Sequence, residues 1–89
     1  MQIWKYPVEA TGIQSLEVPK GATLLTVQTQ FGIPQIWVLC EPENPKEIRT
    51  ISMYGTGHQI PNDPGKYIGT FQIEDGKLIF HIFEPKNKE

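Results

Sequence analysis

The 89 residues carry eight basic and ten acidic side chains, a formal net charge of -2, so the clustered Lys and Arg that general DNA or RNA binding requires are missing. An apolar fraction of 38 % with two Trp, three Tyr and four Phe argues against disorder. A chain this short buries only roughly 60–65 % of its unfolded surface, which makes it marginal alone and predicts a homo-oligomer.

The single cysteine, Cys40, excludes an internal disulfide and follows the apolar run Ile36-Trp37-Val38-Leu39, as expected in a reducing compartment. No run approaches the length of a membrane span, and the start Met1-Gln2-Ile3-Trp4-Lys5 lacks a basic segment followed by an apolar one. The expectation is a cytoplasmic protein without membrane contact.

In chain order the pattern reads as strands, because Pro, Gly and β-branched residues interrupt every helical spacing. Ile3 to Tyr6 is a short first strand ended by Pro7, and Gln14 to Val18 a second, stopped by Pro19-Lys20-Gly21; both suit sheet edges. Thr23 to Phe31 follows, with Leu25, Val27, Thr29 and Phe31 predicted on one face and Leu24, Thr26, Gln28 and Gln30 on the other. Gly32-Ile33-Pro34 turns the chain into Gln35 to Glu41, where Ile36, Val38 and Cys40 oppose Trp37 and Leu39, so these two strands form a hairpin.

After the polar turn Glu43-Asn44-Pro45, a fifth strand runs from Glu47 to Tyr54. Gly55 to Gly65 is dense in turn formers and forms the longest loop. Tyr67 to Ile73 and Leu78 to Glu84 are joined by Glu74-Asp75-Gly76-Lys77, a hairpin signal, with Tyr67, Gly69, Phe71 and Ile73 aligned on one face. About seven short strands with frequent turns predict an all-β fold, a small antiparallel sandwich or partly open barrel. It forms a single domain over residues 1–85 with a frayed tail over 86–89.

Catalytic constellations are weak. Ser52, His58 and Asp63 lie on one local segment without a nucleophile elbow, and the apolar neighbours of Cys40 would raise its pKa. Two histidines and one cysteine without tight spacing do not make a metal site. No enzyme, metal or cofactor is expected.

The segment Gly55-Thr56-Gly57-His58 is the candidate site. Flanking glycines let backbone N–H groups point into one concavity that holds a phosphate or carboxylate, with Thr56 and His58 adding donors; the competing reading is a tight turn in which both glycines supply positive φ. Arg49, the only arginine, and Lys66 are the cations for such an anion. Trp4 is the candidate stacking residue, whereas Trp37, between Ile36 and Val38, reads as core. His81 reads as a surface or hydrogen-bonded strand histidine.

The stretches Ile3-Trp4-Lys5-Tyr6, Val18-Pro19-Lys20-Gly21-Ala22, Leu25-Thr26-Val27-Gln28-Thr29-Gln30, Pro34-Gln35-Ile36-Trp37, Tyr54-Gly55-Thr56-Gly57-His58 and Tyr67-Ile68-Gly69-Thr70-Phe71 together resemble an uncharacterised family of short proteins found mainly in phages and prophages. The resemblance runs nearly end to end and brings no catalytic residues with it. It implies an accessory phage product acting in the cytoplasm of the bacterial host. Two functions follow as expectations. One is a non-enzymatic protein that sequesters a small anionic, nucleotide-derived immune signal of the host, an anti-defence role. The other is a protein-interaction module that inhibits a host enzyme or acts as a small structural accessory.

Overall fold

Alternating apolar residues separated by Pro and Gly give each strand one face to bury, and in the computed structural model, which describes residues 1–86, seven strands do so in two sheets. They are β1 (Gln2–Pro7), β2 (Ile13–Pro19), β3 (Thr23–Gln30), β4 (Ile33–Cys40), β5 (Lys46–Gly55), β6 (Lys66–Ile73) and β7 (Leu78–Glu84). The orders are β1-β4-β3 and β2-β5-β7-β6, every pair antiparallel. The result is an all-β sandwich that does not close into a barrel. β1 and β2 lie at sheet edges, as expected. Of the tail predicted over 86–89, Lys86 is exposed and residues 87–89 lie outside the described residues.

The core lies between the sheets. Val18, Leu24, Ile36, Val38, Cys40, Ile51 and Ile82 are almost fully buried there, with Trp4, Tyr6, Ile73 and Phe80 packed around them. The predicted opposition of Ile36, Val38 and Cys40 to Trp37 and Leu39 holds along β4. The assignment of Trp37 to the core is corrected: its ring lies half-buried on the outer face of the three-stranded sheet, with Lys5 Nζ 5.8 Å from its centroid. Trp4, opposite the fully buried Val38, is the tryptophan that points inward.

Two β-bulges overturn predicted faces. An extra residue between Leu24 and Thr26 inverts the alternation of β3, so Leu24 and Val27 point inward while Leu25 is exposed. Phe31 lies beyond the strand, in a two-residue turn between the paired Gln30 and Ile33, and is 97 % exposed. A second irregularity between Tyr67 and Gly69 buries Ile68 and turns Tyr67 outward. The two bulged strands meet at Gly69, where a Cβ would lie 2.8 Å from Val27 Cγ1. The absence of a side chain there is what lets the free edges of β3 and β6 approach.

Candidate functional site

Arg49 and Lys66 do not join the Gly55–His58 segment. Arg49 shares the inward side of β5 with Ile51 and Met53, and its guanidinium is bonded to Glu84 through Nε (2.5 Å) and Nη2 (3.0 Å), while Nη1 donates to Ala22 O (2.7 Å) and to Glu47 (3.4 Å). These bonds, led by Glu84, raise its pKa. Six residue steps of strand separate it from Gly55, on the order of 20 Å. Lys66 stands opposite Glu84 at the same end, and Trp4 belongs to the other sheet. The guanidinium holds the end of the sandwich together rather than awaiting an anion.

The backbone nest is also corrected. The Thr56 N–H donates to Ile79 O (3.3 Å) and the His58 N–H to Gly55 O (3.1 Å), so two of its donors are already used. Gly57 has a positive φ of 87°, but Gly55 does not. A Cβ at Gly55 would sit 2.9 Å from His58 Cε1, so this glycine is needed for the approach of the imidazole. Around the turn Thr56, His58 and Lys77 rim a cavity of about 210 Å³ whose walls are Gly55, Leu78, Ile79 and Phe80.

On the outer face of the four-stranded sheet, Tyr67 Oη lies 2.6 Å from Thr70 Oγ1, Thr70 Oγ1 lies 2.9 Å from His81 Nδ1, and His81 Nε2 lies 2.7 Å from Thr56 Oγ1. Register creates this row: Thr70 is the cross-strand neighbour of His81, and Tyr54 flanks it on the other side. Phe83 packs beside the row against both Tyr54 (centroids 6.0 Å) and Tyr67 (5.5 Å). His81 is therefore hydrogen-bonded on its strand, as expected. Thr70 and Tyr67 were missed, since nothing local in the sequence announces a partner on the neighbouring strand.

A larger cleft of about 590 Å³ opens where the edges β1 and β2 face each other without pairing. It is lined by Ile3, Trp4, Lys5, Tyr6, Glu17 and Lys46. Trp4 and Tyr6 project from one side of β1, Lys46 Nζ stands 4.8 Å from the Trp4 ring centroid, and Trp4 Nε1 donates to Gln2 Oε1 at 2.7 Å. Burial raises the Tyr6 pKa, and the proximity of Cys40 and Glu17 pushes it the same way. The Lys46 ammonium thus stands over the Trp4 ring beside the Glu17 carboxylate, whereas the Lys5 side chain turns to the outer face, where its Nζ donates to Gln30 Oε1 and lies over Trp37. Of the predicted binding residues only Trp4 belongs to this cleft; Lys46 escapes a sequence reading because only the fold brings the start of β5 to β1.

Among the described residues no three His, Cys, Asp or Glu side chains converge as metal ligands, and no helix is long and apolar enough to cross a membrane. The family described as Domain of unknown function (DUF7352) matches over residues 1–89. No curated protein and no solved structure matches the chain.

Proposed function

The chain belongs to the DUF7352 family, and we propose that it is a non-enzymatic binding protein that sequesters a small, planar, anionic ligand of the nucleotide type in the β1–β2 cleft. The observation that carries this reading is the half-buried Trp4 ring with the Lys46 ammonium 4.8 Å from its centroid, inside a cleft of about 590 Å³. That volume lies within the range of small-molecule sites. An indole and a phenol offer faces for a base to stack on, and Lys46 supplies positive charge for phosphate. Glu17 is the acceptor for an exocyclic amine. The phage resemblance supports a role in the bacterial cytoplasm with a host immune nucleotide as the ligand.

Tryptophan fluorescence and calorimetry with nucleoside monophosphates, cyclic dinucleotides and ADP-ribose test the reading. The expected result is saturable binding that Trp4→Ala and Lys46→Ala each weaken roughly tenfold, the loss of one stacking or charge-assisted contact. Uniform silence across the panel overturns it.

A second reading, a protein-interaction module, draws on the outer face of the β1-β4-β3 sheet. There Ile3, Leu25 and Ile33 are exposed around Trp37, and Phe31 stands at the adjoining hairpin tip. Large exposed apolar side chains gathered on one sheet face are a candidate protein contact. Native mass spectrometry separates the two: a bound small molecule favours the cleft, and a stoichiometric protein partner or a second copy favours the face.

A further inference from the structure

Register decides which backbone groups of β1 are spent and which are free. The Val8 N–H donates to Pro34 O at 3.0 Å, so the pairs two and four residues back, Tyr6 with Ile36 and Trp4 with Val38, are the hydrogen-bonded kind. In an antiparallel ladder such pairs alternate with residues whose N–H and C=O turn the other way. Ile3 and Lys5 therefore present their main-chain donors and acceptors to the open side of β1, over the β1–β2 cleft. Among the described residues β1 pairs with β4 alone.

Edge strands are commonly shielded by a lysine or a proline, and here neither covers these groups. Lys5 turns its ammonium to Gln30 and Trp37 on the outer face, and Pro7 stands beyond them at the end of the strand. In the cleft of about 590 Å³ beside them, Trp4 and Tyr6 pack against the buried cluster that contains Leu16 and Val18. The wall is bare main chain and the floor is aromatic.

Strand count explains why this place is open. The sheets hold three and four strands, and at one flank their edges β3 and β6 meet at Gly69. At the opposite flank β2 consequently reaches one strand beyond β1. We propose that the free edge of β1 takes an extended segment of another polypeptide as a fourth strand, antiparallel to β1 and bonded to the main chain of Ile3 and Lys5, with alternate apolar side chains on Trp4 and Tyr6. Each of the two edge residues exchanges both of its main-chain bonds with the incoming strand. A second copy of this chain does not fit edge to edge, because a two-fold axis between paired β1 strands carries its own overhanging β2 into the layer that β5 occupies. The slot is one strand wide, and Pro7, which has no N–H, limits it to the length of Gln2–Tyr6.

The inference does not rest on the nucleotide reading. The strand is held by the main chain of Ile3 and Lys5, whereas the small ligand is held by the Trp4 ring and Lys46. Sharing one cleft, the two occupants exclude each other.

The test is titration of the ¹⁵N-labelled protein with the capped peptide acetyl-Thr-Val-Thr-Val-Thr-amide. The amide protons of Ile3 and Lys5 should shift downfield and exchange with solvent roughly tenfold more slowly, while those of Trp4 and Tyr6, already bonded to β4, change little. With Val packed inward the Thr nitrogens face β1, so methylating them should weaken binding at least roughly tenfold. Methylating the Val nitrogens, which face away, should not. Lys5→Pro deletes an N–H that the fold does not use, a change edge strands tolerate, and should also weaken binding roughly tenfold. Lys5→Ala keeps that N–H and should bind as the parent does. Nucleotide binding is read separately from Trp4 fluorescence, so either reading can fail while the other stands. Ile3 and Lys5 amides unmoved up to the solubility limit of the peptide, or equal binding of the Thr-methylated peptide, overturns the proposal.

Discussion

Arg49 and Glu84 are joined by two hydrogen bonds, Nε to Oε2 at 2.5 Å and Nη2 to Oε1 at 3.0 Å, with side chains only 18 % and 15 % exposed. The same guanidinium reaches Ala22 O at 2.7 Å, tying the turn between β2 and β3 to the neighbouring strands β5 and β7. Two-pronged pairs of this kind are geometrically specific, and removing one partner leaves the other charge half-buried and unpaired. Arg49→Ala should destabilise the fold by about 2–3 kcal/mol, below the value for a fully buried pair because some solvent reaches it. The double variant Arg49→Met with Glu84→Met should recover most of that loss. Urea midpoints of the three proteins check the ordering, and an Arg49→Ala protein as stable as the parent would contradict it.

How far the fold could be read from the sequence depended on whether a strand keeps a strict two-residue period. β4 does, and the opposition of Ile36, Val38 and Cys40 to Trp37 and Leu39 was legible; the two hairpins were equally so, from Gly32 and from Asp75-Gly76. β3 and β6 do not. One inserted residue near Leu25 and another near Ile68 send every later side chain to the opposite face, and no local residue type distinguishes those positions. Which candidate residues come together was hidden for a related reason. The pairing of His81 with Thr70, and of Lys46 with Trp4, exists only after strands distant in sequence have found their order. Arg49 looked available because its partner Glu84 lies at the far end of the chain.

Gly65 offers a sharper steric test than the other glycines of positive φ. Its φ is 97°, and a Cβ there would lie 2.1 Å from Glu84 O and 2.6 Å from Pro85 Cα, both backbone atoms that move only if the end of β7 moves. Gly57, with φ 87°, has nothing within 4 Å of the same position. Gly57→Ala should therefore cost about 1 kcal/mol, the strain of the left-handed region alone. Gly65→Ala should cost about 2–4 kcal/mol because overpacking adds to strain. Equal melting temperatures for the two variants would refute this account of the junction between the loop and β6.

Phe31 and Gly32 form the two-residue turn between β3 and β4 with φ of 53° and 77°. Such turns require positive φ at both central residues and favour Asn-Gly, whereas Phe pays a steric penalty in that region and here buries nothing. Phe31→Asn should stabilise an isolated chain by about 0.5–1 kcal/mol, a rise in melting temperature of roughly 4 °C for a domain of this size. If instead the ring is an anchor for a second copy, the same substitution should lower the melting temperature and abolish its dependence on protein concentration. Melting curves at several concentrations read both outcomes.

Tyr6 ties the cleft to alkaline stability. Burial raises its pKa above the ordinary 10.0, with Cys40 and Glu17 adding to the effect, so the folded chain holds the phenolic proton at a pH where the unfolded chain has begun to release it. By linkage the protonated phenol contributes its full share of stability below pH 10, and that share is lost as pH rises through the folded-state value. Tyr6→Phe cannot lose a proton and should flatten the alkaline arm of the stability profile, while a phenolate absorbance titration of the parent minus the variant should show a midpoint above 10. An anion held by Lys46 would place further negative charge beside the phenol and move that midpoint upward again. A ligand that left the Tyr6 titration unchanged would have to be bound elsewhere on the molecule.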